Sequence, residues 1–292
     1  VRAAAASVLT QTTGDLEVIV VDDGSTDGAA NALEGIADRR LRIIRQANAG
    51  VSAARNAGVA AAAADWIAFL DADDVWSAAH LETLLSAREG VIACFSNICL
   101  ASRGGAPLID RAEKPQRIGD YFAFALRTGG YPATASSIMV AKSALIAIGG
   151  FPAGRALGED VDTWCRLACH GPFFYTAACT AFYDDTSSSG QAAHQLRPPE
   201  PHPFPERLPC MERAGLVPPE LVAGARRYAN FLTLEYARQL LDRGRHAEAR
   251  EVILRQSRPT LDPGRYARRL ARTFAVGRAL YGIAAKDLRR AG

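Results

Sequence analysis

Two short apolar runs, Val18-Ile19-Val20-Val21 and Trp66-Ile67-Ala68-Phe69-Leu70, each end abruptly in a cluster of aspartates. Asp22 and Asp23 follow the first run; Asp71, Asp73 and Asp74 follow the second. A nearly continuous apolar run of this length suits a strand buried on both faces of a parallel sheet. A third such segment spans 41–45, and 52–64 is a strong helix by propensity. Strands alternating with helices at this spacing specify an α/β, doubly wound, mostly parallel central sheet. Ligands of such sheets bind beyond the carboxyl ends of the strands. Both acidic clusters stand there.

Around this frame the chain reads as follows. Residues 1–11 form an Ala-rich helix, and Thr26 or Asp27 caps a helix running through Leu33 and Ile36. A helix over 78–88, carrying His80 on its surface, leads to a strand over 91–96 and a loop over 101–116. A strand at 136–140 precedes a helix at 142–148 closed by Gly149-Gly150, and a helix over 160–169 stops at Gly171-Pro172. Three serines and then prolines at 198, 199, 201, 203, 205 and 209 mark the clearest boundary. The expected domains are therefore 1–197, a Pro-rich linker at 198–218, and an all-helical C-terminal extension at 219–292. Within the first, 1–100 and 101–197 read as two halves.

Net charge is +3, too small to argue for a nucleic-acid partner. The basic residues are nearly all Arg in an Ala-rich chain, so Arg abundance reflects coding composition and carries no functional weight. The six cysteines show no CxxC spacing and are expected to be reduced core residues of a cytosolic protein. The longest apolar stretch, 58–70, is cut by Asp65 and is too short to span a bilayer. These features point to a cytoplasmic location.

Asp71, Asp73 and Asp74 are hard oxygen donors suited to Mg²⁺ or Mn²⁺. On spacing alone, D-x-D is equally a solvated turn; its place at a strand end beside a second acidic strand end favours the ligand reading. Glu159 and Asp160 fall in the first turn of a helix, where they either complement the helix dipole or serve as a proton acceptor. Arg55 is either a solvated helix residue or a fork for phosphate. For Trp76 and Trp164 packing is the default reading, with stacking on a sugar as the alternative.

The segments VIVVDDGSTDG, NAGVSAARNAG, WIAFLDADDVW and IGGF…GEDVDTWCRLACHG resemble, in order and separation, the signature set of family 2 glycosyltransferases, over about residues 1–190. The resemblance implies a GT-A fold, with 1–100 as the nucleotide-binding half and 101–197 as the acceptor-side half, inversion at the anomeric carbon and a nucleoside-diphosphate-sugar donor. By position it implies that Asp23, with Asp22 beside it, binds the base or ribose, and that Arg55 contacts base or diphosphate. Asp73 would be the principal metal ligand for Mn²⁺ or Mg²⁺, with Asp71 arranging donor phosphates or sugar. Asp160 would be the catalytic base, with Glu159 next to it. Some GT-A enzymes supply a late His to the metal; near that position this chain has Asp184-Asp185-Thr186, with His194 further on. The family's first strand would precede Val1, so its neighbours in the sheet are expected to lack a ladder partner.

In the tail, YARQLLDRGRHAEAREVILRQ resembles one tetratricopeptide-type hairpin, and the plainer reading is an α-hairpin packed on the catalytic domain. Tyr266, Leu270, Phe274, Gly277, Tyr281, Ala284 and Leu288 recur at helical spacing among arginines. That basic amphipathic helix could contact an anionic membrane surface peripherally or pack with its arginines outward. The expected partners are a nucleotide-sugar donor and a glycan or glycolipid acceptor of bacterial polysaccharide or glycolipid synthesis, without nucleic acid. The alternative is a non-catalytic scaffold of the same fold; a nucleotidyltransferase is weaker, for want of a Gly-rich phosphate loop.

Overall fold

The computed structural model describes residues 1–28, 31–33, 35–110, 112–155, 157–183 and 198–274. The chain forms two compact units, Val1–Arg197 and Pro198–Gly292. In chain order the first unit holds α1 (Arg2–Leu9), β1 (Val18–Asp22), β2 (Leu41–Arg45), α2 (Val51–Ala61), β3 (Trp66–Ala68) and β4 (Val75–Trp76). It continues with α3 (His80–Ser86), β5 (Ala93–Leu100), β6 (Ala106–Pro107), β7 (Gln116–Ile118), α4 (Tyr121–Arg127), β8 (Ile138–Ala141), α5 (Lys142–Ala147), α6 (Glu159–Ala168) and β9 (Phe173–Tyr183).

β1 and β2 pair in parallel, from Val18 opposite Leu41 to Asp22 opposite Arg45. A second sheet of seven strands runs β3-β8-β5-β9-β4, with β6 on β5 and β7 on β9. Only β5 and β9 pair in parallel there; the other pairs are antiparallel. The larger sheet is therefore mixed, where a mostly parallel one was expected. The reason lies in β8, which inserts between β3 and β5 and runs against both. Among the described residues β1 has β2 as its sole ladder partner and β3 has β8, so one edge of each is unpaired.

Several local expectations change. Past Asp27, the described residues hold a three-residue 3₁₀ turn at Asn31–Leu33 in place of an α-helix. The expected loop over 101–116 supplies β6 and the start of β7, while α4 and β9 went unread in the sequence. α4 has a clear start signal: the Asp120 side chain accepts from the Ala123 N–H. His80 is fully buried, its ring stacked 4.4 Å from Trp76 and its Nδ1 2.8 Å from Thr180 Oγ1. Burial pushes its pKa down to about 3, so it is a neutral core residue. Cys99 and Cys179 are joined by a disulfide, contrary to the expectation of six reduced thiols. The bond bridges β5 and β9 where their register shifts around Asn97. There the buried Asn97 amide holds Ile109, donating to its carbonyl at 2.8 Å and accepting from its N–H at 3.0 Å.

The second unit holds α7 (Pro203–Arg213), α8 (Val222–Asp242), α9 (His246–Gln256) and α10 (Pro263–Ala271). The stretch expected as a linker at 198–218 thus contains a helix. Pro203 and Pro205 fall in its first turn, where their missing N–H groups would have no intrahelical acceptor. Leu234, Ala237, Leu240 and Leu241 of α8 pack with Ala249, Val252 and Ile253 of α9, and Tyr266 and Leu270 of α10 cover that cluster. Two arginines of the basic segment pair with α8, Arg269 with Glu235 at 2.9 Å and Arg272 with Asp242 at 2.7 Å, whereas Arg265 pairs with Asp262 at its own helix start at 3.0 Å and Arg268 is exposed. Residues 275–292 of that expected helix, and Asp184, Asp185, Thr186 and His194, lie outside the described residues. Among those described, no helix is long and apolar enough to cross a membrane.

Candidate active site

The site begins where β3 ends. The turn from Asp71 to Asp74 closes with the Asp74 N–H on the Asp71 carbonyl at 3.1 Å. Ser136 pins it on both sides: its Oγ accepts from the Asp71 N–H at 3.0 Å, and its carbonyl accepts from Trp76 Nε1 at 2.7 Å. Trp76 is therefore a packing residue, as is Trp164, which is fully buried. Asp73 is exposed and Asp74 buried.

Arg55 approaches from α2. Its Nη2 lies 2.8 Å from Asp71 Oδ1 and its Nη1 2.8 Å from Glu159 Oε1. The guanidinium keeps only 11% of its surface exposed and Glu159 10%, whereas Asp71 keeps 39%. Burial disfavours the Arg55 charge, but Asp71, Asp160 and Glu159 outweigh it and hold the group protonated. α6 begins at Glu159 behind Gly158, whose φ of 73° is the left-handed value that glycine adopts without penalty. Burial, then the adjacent Asp160, pushes Glu159 up to about 7, with Arg55 opposing. Burial likewise raises Asp160, with Arg55 and the Val161 N–H opposing and Asp71 reinforcing. One Asp160 oxygen accepts from the Val161 N–H at 2.7 Å, and the side chain keeps partial access to solvent.

The structure thus brings Arg55, Asp71, Glu159 and Asp160 together. It treats the first acidic cluster differently. Asp23 accepts from Gln46 Nε2 at 2.7 Å, from the Ala49 N–H at 2.9 Å and from the Gly50 N–H at 2.7 Å. Those bonds outweigh burial and keep its carboxyl below the usual range. Asp22 accepts from the Ser25 N–H at 2.9 Å, and that bond, with the Ser25 hydroxyl and Arg45, holds its carboxyl below the usual range against burial and Asp23. Asp23 is accordingly an anchor for the loop that opens α2, and so indirectly for Arg55.

Tyr183, at the end of β9, packs against the cluster that holds Trp76, a residue that sequence reasoning did not single out. Burial first, then Asp74, Asp73, Asp71 and Asp160, push its phenol up to about 12. The signal was present in the sequence: FFYTAACTAFY is an aromatic-rich run with strand propensity after Gly171-Pro172.

Among the described residues no group of three or more His, Cys, Asp or Glu side chains converges as a metal cage. The exposed Asp73 and the half-exposed Asp71 offer two carboxylates at one strand end. That set fits a hard cation only where substrate oxygens complete its shell, the usual arrangement for Mg²⁺ held by one or two carboxylates plus phosphates.

Residues 1–96 match glycosyl transferase family 2. Relatives include an uncharacterized glycosyltransferase of Nostoc, 35% identical over 130 residues covering 42% of this chain and 40% of the relative. The succinoglycan biosynthesis protein ExoW of Rhizobium meliloti is 46% identical over 85 residues, 27% of each chain. The chain thus spans less than half the length of the curated relatives it matches. Among solved structures, Staphylococcus aureus TarS 1-349 in complex with UDP-GlcNAc superposes with a TM-score of 0.65 at 15% identity, over 91% of this chain and 85% of that one. The mannosyltransferase PcManGT of Pyrobaculum calidifontis, in complex with GDP-Man and Mn²⁺, gives 0.55 at 18% identity, over 96% and 79%. With its acidic strand end and carboxylate helix start joined through Arg55, the chain shares the GT-A fold of these two structures, and its first 96 residues are similar to glycosyl transferase family 2.

Proposed function

We propose that the chain transfers a sugar from a nucleoside-diphosphate donor to a hydroxyl acceptor with inversion, using a divalent cation. The observation that carries this reading is the double ion pair of Arg55, which joins the strand-end carboxylate Asp71 to Glu159 beside Asp160. In a single displacement the acceptor oxygen bonds to the anomeric carbon as the bond from that carbon to the diphosphate oxygen breaks. The acceptor's proton passes to a carboxylate on the attacking side. Asp160 suits that role: the Val161 N–H fixes its orientation, and a pKa raised by burial makes it a stronger proton acceptor. Glu159 is ion-paired and more deeply buried, so it orients Arg55.

Arg55 uses two of its N–H groups on carboxylates and retains others for a diphosphate oxygen. Asp73, with Asp71, would hold Mn²⁺ or Mg²⁺ against the diphosphate. When bound, the cation offsets charge gathering on the leaving group. The GDP-Man and Mn²⁺ complex of PcManGT and the UDP-GlcNAc complex of TarS support a nucleotide sugar as donor class. Similarity to ExoW supports an acceptor in bacterial polysaccharide synthesis.

A second reading, a binding protein that retains the fold, draws on the structural use of Asp23. One experiment separates the two: donor turnover across UDP-, GDP- and dTDP-sugars with Mn²⁺ or Mg²⁺. Metal-dependent release of nucleotide from one donor is the expected result. Donor binding without turnover in any acceptor mixture favours the binding protein, and neither binding nor turnover sinks the enzyme reading.

A further inference from the structure

The candidate site is assembled from three elements far apart in sequence: α2 with Arg55, the end of β3 with Asp71, and the start of α6 with Glu159 and Asp160. Phe151 touches all three. Its ring centroid lies 5.1 Å from that of Phe69, two residues before Asp71, and 5.7 Å from that of Trp164 on α6, both edge-on. The Arg55 guanidinium sits 5.4 Å from the same ring. Its backbone is held just as firmly: the Phe151 N–H donates to Asn56 Oδ1 at 2.8 Å, and Asn56 Nδ2 donates to the Phe151 carbonyl at 2.9 Å. Asn56 is the α2 residue next to Arg55.

Phe151 leaves a rigid corner at 148–151. Gly149 N–H bonds the Ile146 carbonyl at 3.0 Å and Gly150 N–H the Leu145 carbonyl at 2.9 Å, a Schellman closure of α5. Gly150 has φ +70°, and a Cβ there would meet Asn56 Oδ1 at 2.5 Å. The corner's carbonyls hold α6 through Arg166, whose Nη1 donates to Ile148 O at 2.7 Å and Nη2 to Gly150 O at 2.7 Å. Its Nε pairs at 2.8 Å with Asp162, which is fully buried. Asn56 therefore ties the corner to α2 and Arg166 ties it to α6.

We propose that this corner is a gauge setting the separation of α2 and α6, with Asn56, Phe151 and Arg166 as positioning residues for Asp160. None of the three needs to touch substrate. The proposal rests on the reading of Asp160 as proton acceptor. A purely packing corner would affect folding alone; a gauge affects where Asp160 stands once the protein is folded.

The test compares Asn56→Ala, Arg166→Lys, the double variant and Phe151→Leu with the native chain. Melting curves establish the folded fraction, calorimetry the donor affinity, and saturating kinetics the transfer rate. The gauge predicts that each single change slows transfer by roughly tenfold or more, since small misplacements of reacting groups are costly. Donor Kd should stay within about twofold in Arg166→Lys, which acts on the α6 side of the corner and makes no contact with Arg55. The double variant should be no slower than its slower parent by more than about twofold, since both act through one corner. Rate losses that multiply in the double variant, or that merely follow the folded fraction, overturn the proposal. Hydrogen exchange supplies a readout without turnover: the Asp162 amide, bonded to the Gly158 carbonyl at the start of α6, should exchange at least about tenfold faster in Asn56→Ala while those of β5 do not. Unchanged exchange at the Asp162 amide overturns the gauge even if the native chain proves inactive. Faster exchange with no native turnover instead removes the transferase reading and leaves the gauge standing. Should Arg166→Lys not fold, Asn56→Ala and Phe151→Leu carry the same comparison.

Discussion

Arg55 Nη1 and Glu159 Oε1 lie 2.8 Å apart across 104 positions of sequence. The pair is buried, so each charge depends on the other for what it lost with water. Arg55→Met should therefore destabilise the fold by about 3–5 kcal/mol, the usual result of leaving one partner of a buried pair alone. It also removes the influence that lowers the Glu159 pKa, so that carboxyl should titrate above its present value of about 7. Carboxyl-resolved ¹³C NMR through a pH series checks this; a midpoint at or below the native one refutes it.

Glu159 binds a proton more readily folded than unfolded, since its pKa rises from 4.5 to about 7. Between those values the folded state carries the extra proton, so this residue's contribution to stability falls as pH rises, and it is largest below the lower value. The slope is at most about 1.4 kcal/mol per pH unit. Glu159→Gln should remove that slope. Denaturant midpoints of the two proteins should hence diverge between pH 4.5 and 7 in the sense that the Gln variant gains on the native chain as pH rises. Parallel curves would count against the raised pKa.

Asp160→Asn preserves size and the bond from the Val161 N–H but cannot take up a proton. Transfer should slow by a factor on the order of 10² to 10⁴ at nearly constant donor affinity. Glu159→Gln is the control, with a smaller loss expected. Equal transfer rates for the native chain and Asp160→Asn under saturating donor and acceptor would end the base assignment.

Asp73 is exposed, and a change there should leave the fold intact. Asp73→Asn should abolish metal-dependent donor affinity, because one charged ligand is lost from a thin donor set. Mn²⁺ titration in the presence of donor reads this out; affinity equal to the native chain's takes Asp73 off the ligand list.

The disulfide between Cys99 and Cys179 closes a loop across 80 positions and joins the halves of β5 and β9 beyond their register shift. Cys99→Ser should lower stability by about 2–4 kcal/mol through the added freedom of the unfolded chain. Thiol titration of the unfolded, unreduced protein should find four reactive thiols, rising to six after reduction. Six before reduction would mean that the bond does not form.

The sequence alone determined the strand ends, and with them where ligands go. Val18-Ile19-Val20-Val21 and Trp66-Ile67-Ala68 form the strands that their apolar runs imply, with Asp22 as the last residue of the first and Asp71 just past the second, although of those apolar residues only Val18 is buried. It also specified the glycines at 149, 150 and 158, whose positive φ values are local backbone demands. Tertiary structure decided what each acidic residue does. Asp23 and Asp71 follow similar strands, yet Asp23 turns back onto the Ala49 and Gly50 amides while Asp71 meets Arg55. Glu159 and Asp160 are adjacent, yet only Glu159 reaches the guanidinium. The placement of Tyr183, the burial of His80, the Cys99–Cys179 pairing and the antiparallel insertion of β8 belong to the same class. Each depends on which distant segments pack together and in what register, a choice made by the sum of many non-local contacts. Local patterns carry the period and the ends of an element; they do not carry its neighbour.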